Sequence, residues 1–130
     1  MAHPQISHHE TRIAVLSDIH ISTDASAEAA ERRLRLASAI EAVNAESPDL
    51  VVIPGDLTEH GDHGELEEFG RLVQRLRPPV AWVPGNHDVG DKWLPDKPGI
   101  TPERIRAYEA ALGSARISRR VGRLHVLGVN

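Results

Sequence analysis

Three short clusters of side chains that can bind metal ions or move protons stand out in the sequence. They contain carboxylates, imidazoles and one carboxamide, and the chain has no cysteine. The clusters are Asp18 with His20, then Asp56, and then the run Asn86-His87-Asp88. This mixture of oxygen and nitrogen ligands without sulfur favours Mn, Fe, Zn or Co over a calcium cage or a thiolate site.

Asp56 forms the middle cluster and could bind two metal ions at once, because a carboxylate has two oxygens. Gly55 before Asp56 and Gly85 before Asn86 let the backbone turn so that both side chains can face the same point. Two ions about 3.5 to 4 Å apart stabilise the attacking and leaving oxygens of a displacement at phosphorus, and they lower the pKa of a bound water toward about 7. The arrangement therefore indicates phosphoester hydrolysis.

Each cluster follows a short apolar run that predicts a buried β-strand. The runs cover residues 12–17, 50–54 and 80–83, and they are continuous rather than alternating, as expected for strands covered on both faces. Functional groups collect at the carboxyl ends of parallel strands, so the three clusters should converge at one edge of the sheet. Residues two apart in an extended segment point the same way, so Asp18 and His20 can face one ion.

Helical patterns separate these strands. Helices are predicted over residues 26–46, 63–77 and 101–112, and an antiparallel hairpin over residues 115–121 and 123–129. In the first helix a broad apolar stripe should face the sheet, and it consists of Ala29, Ala30, Leu34, Leu36, Ala37, Ile40 and Val43. This order predicts an α/β fold, a β-α-β-α-β parallel sheet extended by a C-terminal hairpin.

Each candidate side chain also has an ordinary structural explanation. An aspartate after a strand often forms a turn or caps a helix, and for any one of Asp18, Asp56 and Asp88 taken alone that role is the more common. A single histidine such as His20 or His87 could equally be a surface residue. The joint pattern favours a functional site, because three separate strand ends would each have to carry metal-ligand types by accident.

Length and composition indicate one domain that is soluble. The chain has 130 residues, and we expect a flexible N-terminus over residues 1–11 and one domain over residues 12–130. The net charge is −4 and the arginines are dispersed, so neither a nucleic acid polymer nor a membrane is expected as a partner. The sequence shows no cysteine, no signal peptide and no membrane-spanning run, which predicts a cytoplasmic protein.

A resemblance to a known family rests on three motifs. They are Asp18-x-His20, Gly55-Asp56-Leu57-Thr58 and Gly85-Asn86-His87-Asp88. Together they resemble the motifs of the calcineurin-like metallophosphoesterase superfamily. The second motif and the aspartate at position 88 are more similar to bacterial cyclic-nucleotide and glycerophosphodiester phosphodiesterases than to protein phosphatases. The resemblance implies an enzyme that hydrolyses a small phosphodiester, with a fold corresponding to the first half of an αββα sandwich.

The resemblance also implies which residues bind two divalent metal ions, which would be Mn, Fe, Zn or Co. Asp18 and His20 would bind the first ion. Asn86 would bind the second ion, and Asp56 would bridge the two. We therefore expect all four side chains to surround one small volume at the sheet edge.

The same resemblance implies that His87 and Asp88 are the catalytic residues. His87 would contact the phosphate or protonate the leaving group, with Asp88 orienting its ring. An imidazole suits this role because histidine side chains change charge near neutral pH.

The superfamily carries two further histidine motifs after the region matched here, and these complete both metal sites, whereas this chain ends at Asn130. Of the other histidines, we expect His60 and His63 to be exposed, while pairing in the hairpin decides which way His125 faces. Half a sandwich should leave an apolar sheet face uncovered. We therefore expect a truncated phosphodiesterase or a half-domain that pairs as a homo-oligomer. The alternative to an enzyme is a non-catalytic, self-associating half-domain with a partial metal site.

Overall fold

The computed structural model describes residues 10–130, in which five strands and four helices are found. The strands are β1 Ile13–Val15, β2 Leu50–Pro54, β3 Val80–Val83, β4 Ile117–Val121 and β5 Leu124–Gly128. The helices are α1 Ala27–Glu46, α2 His63–Val73, α3 Asn86–Val89 and α4 Pro102–Leu112. None of these helices is long and apolar enough to cross a membrane. Of the N-terminal residues 1–11, which we expected to be flexible, residues 1–9 lie outside the described part of the chain.

The first three strands form one parallel sheet in the order β1-β2-β3, as predicted. Ile13 pairs with Leu50 across the first interface, and Val51 pairs with Val80 across the second. β1 lies at the edge of this sheet, and Val15 is 62% exposed. The prediction of a strand buried on both faces is therefore wrong for β1, because an apolar run specifies a strand but not whether another element covers each of its faces.

The predicted C-terminal hairpin is present, with β4 and β5 antiparallel on either side of Gly122. It forms a two-stranded sheet of its own. A β-carbon built at Gly128 would lie 2.8 Å from a methyl group of Val83, so β5 passes directly against β3. The hairpin thus extends the domain by packing rather than by hydrogen bonds to the parallel sheet.

Local sequence signals set most helix ends. Ser26 caps α1, and its hydroxyl accepts a hydrogen bond from the backbone of Ala29 at 3.0 Å. α2 ends at Val73, about one turn before the predicted end at Arg77. The backbone of Leu76 donates to Val73 at 3.0 Å in a tighter turn that keeps Leu76 in the core. The one-turn helix α3 was not predicted, because four residues are too few to show a helical period.

The hydrophobic core joins side chains of the sheet to those of α1, α2 and α4. Val51 and Ile53 of β2 are fully buried, and Leu36 and Ile40 of α1 pack in the same cluster. Leu34 is 69% exposed, so its predicted place in the apolar stripe is wrong. Two residues of helix rotate a side chain by about 200°, which turns Leu34 away from the face that carries Leu36.

Shortening Leu36 to alanine is expected to lower the free energy of unfolding by about 2–5 kcal/mol, because it removes buried methyl groups and leaves a cavity. Leu34→Ala makes the same chemical change two residues away on the exposed face, so it should change stability by less than about 0.5 kcal/mol. Urea denaturation followed by circular dichroism measures both variants. Equal losses in the two would contradict the assigned orientation of α1.

Candidate metal centre

The loops that follow β1 and β2 remain hydrogen-bonded to each other beyond the ends of the strands. The backbone nitrogen of His20 donates to the Asp56 carbonyl at 2.9 Å, and that of Ile21 donates to Leu57 at 3.0 Å. The backbone of Glu59 then donates to Ile21 at 2.9 Å. These bonds bring the first two predicted clusters side by side, as expected for the carboxyl ends of parallel strands.

Three of the predicted ligands have a left-handed backbone, which is rare for residues other than glycine. The φ angles are 54° at Asp18, 50° at His20 and 50° at Asp56. Each such residue costs on the order of 1–3 kcal/mol, and such residues cluster at functional sites. The same turn conformation therefore recurs at both loops, where it redirects the chain just past the sheet.

The structure brings His20, Asp56 and His87 together, with one potential ligand atom from each within 4.8 Å of the others. Nε2 of His20 lies 3.9 Å from Oδ2 of Asp56. The two imidazole rings meet edge to face, with their centroids 4.5 Å apart. Two imidazoles and a carboxylate fit a divalent ion of the Mn, Fe, Zn or Co type, so the donor set is chemically suited to the metal that the sequence predicts.

Gly85 allows the loops after β2 and β3 to touch at the centre of this group. A β-carbon at Gly85 would lie 2.2 Å from Oδ1 of Asp56 and 2.4 Å from its backbone nitrogen. The backbone nitrogen of His87 donates to the same Oδ1 at 3.2 Å. Asp56 is therefore positioned by close backbone contact with the loop that carries His87.

A backbone carbonyl fixes the ring of His87. Its Nδ1 lies 2.7 Å from the carbonyl oxygen of Glu59. A carbonyl oxygen can only accept a hydrogen bond, so the proton must be on Nδ1. In the neutral ring Nε2 then carries the free lone pair, while in the protonated ring Nε2 carries a second proton. The ring can thus present either a ligand atom or a proton donor to the site.

Asp88 has a different role from the one that we expected. Its buried carboxylate accepts hydrogen bonds from the backbone nitrogens of Leu57, Thr58 and Gly85 at 3.1, 2.8 and 2.7 Å, and from the Thr58 hydroxyl at 2.7 Å. Because the Glu59 carbonyl holds the His87 ring, the expectation that Asp88 orients this ring is corrected. Burial raises the pKa of Asp88, and the hydrogen bonds from Gly85, Thr58 and Leu57 offset only part of that rise.

Among the acidic and histidine side chains of residues 10–130, Asp18 is not part of the group of three. Asn86, the other remaining predicted ligand, directly precedes His87 in the chain. Asp18 is exposed and accepts a hydrogen bond from the Ser17 hydroxyl at 2.7 Å. Asn86 begins α3, and its side-chain nitrogen donates to Asp91 at 3.0 Å. The amide oxygen of Asn86 is the atom that could bind a cation.

The other histidines that we considered as ligands point elsewhere. His60 is 66% exposed and contacts Glu65 at 3.0 Å. The His63 side chain is 79% exposed and lies 3.2 Å from Glu67 in α2. In the hairpin, Nε2 of His125 lies 2.7 Å from the hydroxyl of Ser118. None of the three belongs to the group formed by His20, Asp56 and His87 in the described part of the chain.

The carboxylate of Glu59, which was not predicted as a site residue, lies beside this group. Its Oε2 lies 3.3 Å from Nδ1 of His20 and 2.5 Å from Nη1 of Arg32. Burial alone would raise the pKa of Glu59, but the hydrogen bond and charge of Arg32, with smaller contributions from His20 and His87, lower it below its ordinary value. Glu59 lies in the loop after β2 and belongs to no motif, while its partner Arg32 lies in α1, so no local pattern predicts this contact.

Replacing Asp88 by alanine should lower the free energy of unfolding by about 3 kcal/mol, because it leaves several buried donors without an acceptor. Asp96→Ala removes a carboxylate from an exposed position and should change stability by less than about 0.5 kcal/mol. Urea denaturation of the two variants beside the unchanged protein provides the measurement. A small loss in Asp88→Ala would show that this carboxylate does not join the loops.

A methyl group added at Gly85 is expected to overlap Asp56 and to cost about 1–3 kcal/mol of stability. The φ angle of Gly85 is −103°, which alanine adopts readily, so the effect isolates the overlap from backbone strain. Gly99→Ala is the control, because a β-carbon there has nothing within 4 Å. Thermal unfolding compares the two variants, and equal melting temperatures would contradict the close approach of the loops.

Comparison with known proteins assigns the chain to a family. The family profile described as calcineurin-like phosphoesterase matches residues 11–125. A probable cyclic nucleotide phosphodiesterase of Pseudoalteromonas sp. (strain SM9913) is 33% identical over 90 residues, which are 64% of this chain and 33% of that protein. Another from Synechococcus sp. (strain ATCC 27144 / PCC 6301 / SAUG 1402/1) is 32% identical over 82 residues, 62% of this chain and 32% of that protein.

A third relative is a probable glycerophosphodiester phosphodiesterase of Arcobacter nitrofigilis. It is 44% identical over 41 residues, which cover 32% of this chain and 15% of that protein. The chain thus spans about a third or less of the length of these curated relatives. The profile match extends over most of the chain and includes all three clusters. This chain therefore belongs to the calcineurin-like phosphoesterase family.

Proposed function

We propose that this chain carries the metal-binding and phosphate-binding edge of a phosphodiesterase that hydrolyses small phosphodiesters. One observation carries the proposal: His20, Asp56 and His87 lie in three different loops, yet each brings a ligand atom within 4.8 Å of the other two. His20 and Asp56 in this arrangement suit a divalent cation, His87 adds an imidazole beside it, and the family match supports a role for the site in phosphoester chemistry.

We infer a dinuclear centre that takes two ions among Mn, Fe, Zn and Co. Asp18, His20 and Asp56 would hold the first, and Asp56 and Asn86 the second, with Asp56 shared. When bound, such ions supply positive charge for the phosphoryl oxygens and make water a better nucleophile at neutral pH. Asp56 is suited to the shared position, because Gly85 and the backbone of His87 fix its carboxylate at the meeting point of two loops.

His87 is proposed to contact the phosphate and to protonate the leaving oxygen. The Glu59 carbonyl accepts from Nδ1, so the proton that can be delivered is the one on Nε2 of the charged ring. Asp88 supports this step indirectly, because its carboxylate holds Gly85 and therefore the start of the segment that carries His87. The ring thus has one nitrogen for orientation and one for chemistry.

A phosphodiester of the cyclic-nucleotide or glycerophosphodiester type is the proposed substrate, since the relatives named above carry those names. The net charge of −4 provides no basic field for a nucleic acid polymer. The absence of cysteine suits a reducing compartment, on which basis we propose a cytoplasmic location.

Exposed apolar side chains favour a second candidate, a self-associating half-domain with a partial metal site. Val15 at the sheet edge is 62% exposed, and Leu127 and Val129 near the C-terminal end are 68% and 75% exposed. Such surfaces favour association. Light scattering tests this second candidate, because a sharp monomer peak would count against self-association.

The test is hydrolysis of bis(p-nitrophenyl) phosphate with Mn²⁺ by the unchanged chain and by Asp56→Ala. Loss of the shared ligand should lower turnover by more than about 100-fold, beyond the 10- to 100-fold typical of changes to residues behind the ligands. Asp96→Ala controls for the loss of one carboxylate. Turnover no higher than that of Asp56→Ala would contradict catalysis by this chain and support the non-catalytic alternative.

A further inference from the structure

Among residues 10–130, Glu59 is the only acidic residue that forms an ion pair with Nδ1 of His20. Its Oε2 lies 3.3 Å from this nitrogen. The same oxygen lies 2.5 Å from Nη1 of Arg32, which also donates to the backbone carbonyl of His20 at 3.1 Å. Arg32 therefore contacts both the Glu59 carboxylate and the backbone of His20.

Nδ1 of His20 is buried and has no aligned hydrogen-bond partner in the described part of the chain. The separation from Glu59 is within hydrogen-bond range, but the two groups are not aligned as a hydrogen bond requires. A buried ring nitrogen without a partner is costly. A small rotation of either side chain would satisfy it, and Glu59 is the acceptor within reach.

The opposite nitrogen of the ring faces the metal centre, since Nε2 of His20 lies 3.9 Å from Oδ2 of Asp56. A carboxylate behind a metal-binding imidazole fixes which nitrogen carries the proton and makes the other a better ligand. For His20 this means a proton on Nδ1, toward Glu59, and a lone pair on Nε2, toward Asp56.

We propose that Arg32 and Glu59 are positioning residues that select the ring orientation and tautomer in which His20 binds a divalent cation. This inference rests on the proposed metal centre. α1 supplies Arg32, and the loop after β2 supplies Glu59. The ion pair is held on its other side by Glu28, which contacts Nη2 of Arg32 at 2.6 Å. The first helix and the loop after β2 thus supply the residues that hold the His20 ring, and the parallel sheet places His20 in the centre.

The first measurement is the tautomer of His20 in the metal-free protein, read from long-range ¹H–¹⁵N correlations of the imidazole ring. The unchanged protein should carry the proton on Nδ1. Glu59→Ala should shift the ring to a mixture or to the Nε2-protonated form. Glu59→Gln, which retains an acceptor oxygen, should keep the Nδ1 proton. An unchanged tautomer in Glu59→Ala would overturn the proposal.

The second measurement is Mn²⁺ affinity by calorimetry. Arg32→Ala and Glu59→Ala should each weaken binding by about 10- to 100-fold, and Glu59→Gln should lie between Glu59→Ala and the unchanged protein. Arg35→Ala is the matched control, because Arg35 belongs to the same helix and pairs with Glu31 at an exposed position. Unchanged affinity in both alanine variants would overturn the positioning role.

The two measurements keep the inference separate from the proposed function. Absence of Mn²⁺ binding by the unchanged protein would contradict the metal centre, while the tautomer experiment would still decide whether Glu59 orients His20. Mn²⁺ binding by the unchanged protein, together with an unaltered His20 tautomer in Glu59→Ala, would contradict the positioning role without contradicting the proposed function. Circular dichroism confirms that each variant is folded before either result is used.

Discussion

The buried carboxylate of Asp88 joins the loop after β2 to the loop after β3, and the geometry of the centre depends on it. Its oxygens accept from the backbone of Leu57, Thr58 and Gly85 and from the hydroxyl of Thr58. Taking a carboxylate out of water is tolerated only when its lone pairs are satisfied. The loops and the carboxylate therefore stabilise each other, and Asp56 and His87 are held at a fixed separation as a result.

A second set of bonds joins the loop after β1 to the loop after β2. These two loops keep the parallel hydrogen-bond pattern past the ends of their strands, from His20 through Ile21 to Glu59. The left-handed backbone at Asp18, His20 and Asp56 would be unfavourable in isolation. The flanking backbone bonds and the fully buried side chain of Ile21 hold the strained turns in place.

Aromatic side chains join α2 and α4 to the sheet that carries the centre. Phe69 of α2 meets Trp82 of β3 edge to face with ring centroids 5.6 Å apart, and the indole nitrogen of Trp82 donates to the carbonyl of Leu112 at 3.1 Å. Tyr108 of α4 is fully buried, and its pKa is raised by burial and by the charge of Asp88. The buried carboxylate of Asp88 thus lies near the apolar core, close enough for its charge to act on Tyr108.

The sequence by itself determined the fold class, the order of the elements and the three clusters. Parallel strands place their carboxyl ends together, so Asp18-x-His20, Asp56 and Asn86-His87-Asp88 could be assigned to one edge without coordinates. The roles within that edge were decided only by tertiary structure. Asp88 accepts hydrogen bonds from neighbouring loops instead of from the His87 ring. Glu59 contacts His20 although it belongs to none of the three motifs.

The difference has a physical origin. Local hydrophobic patterns indicate strands and amphipathic helices. The strands over residues 50–54 and 80–83 were therefore predicted with the bounds that the structure shows. A hydrogen bond between Asp88 and Thr58, or an ion pair between Arg32 and Glu59, joins residues about thirty positions apart and depends on how the loops turn after their strands. Gly85 could be predicted to let its loop turn, but the left-handed turns at Asp18, His20 and Asp56 that set those directions follow no local pattern in the sequence.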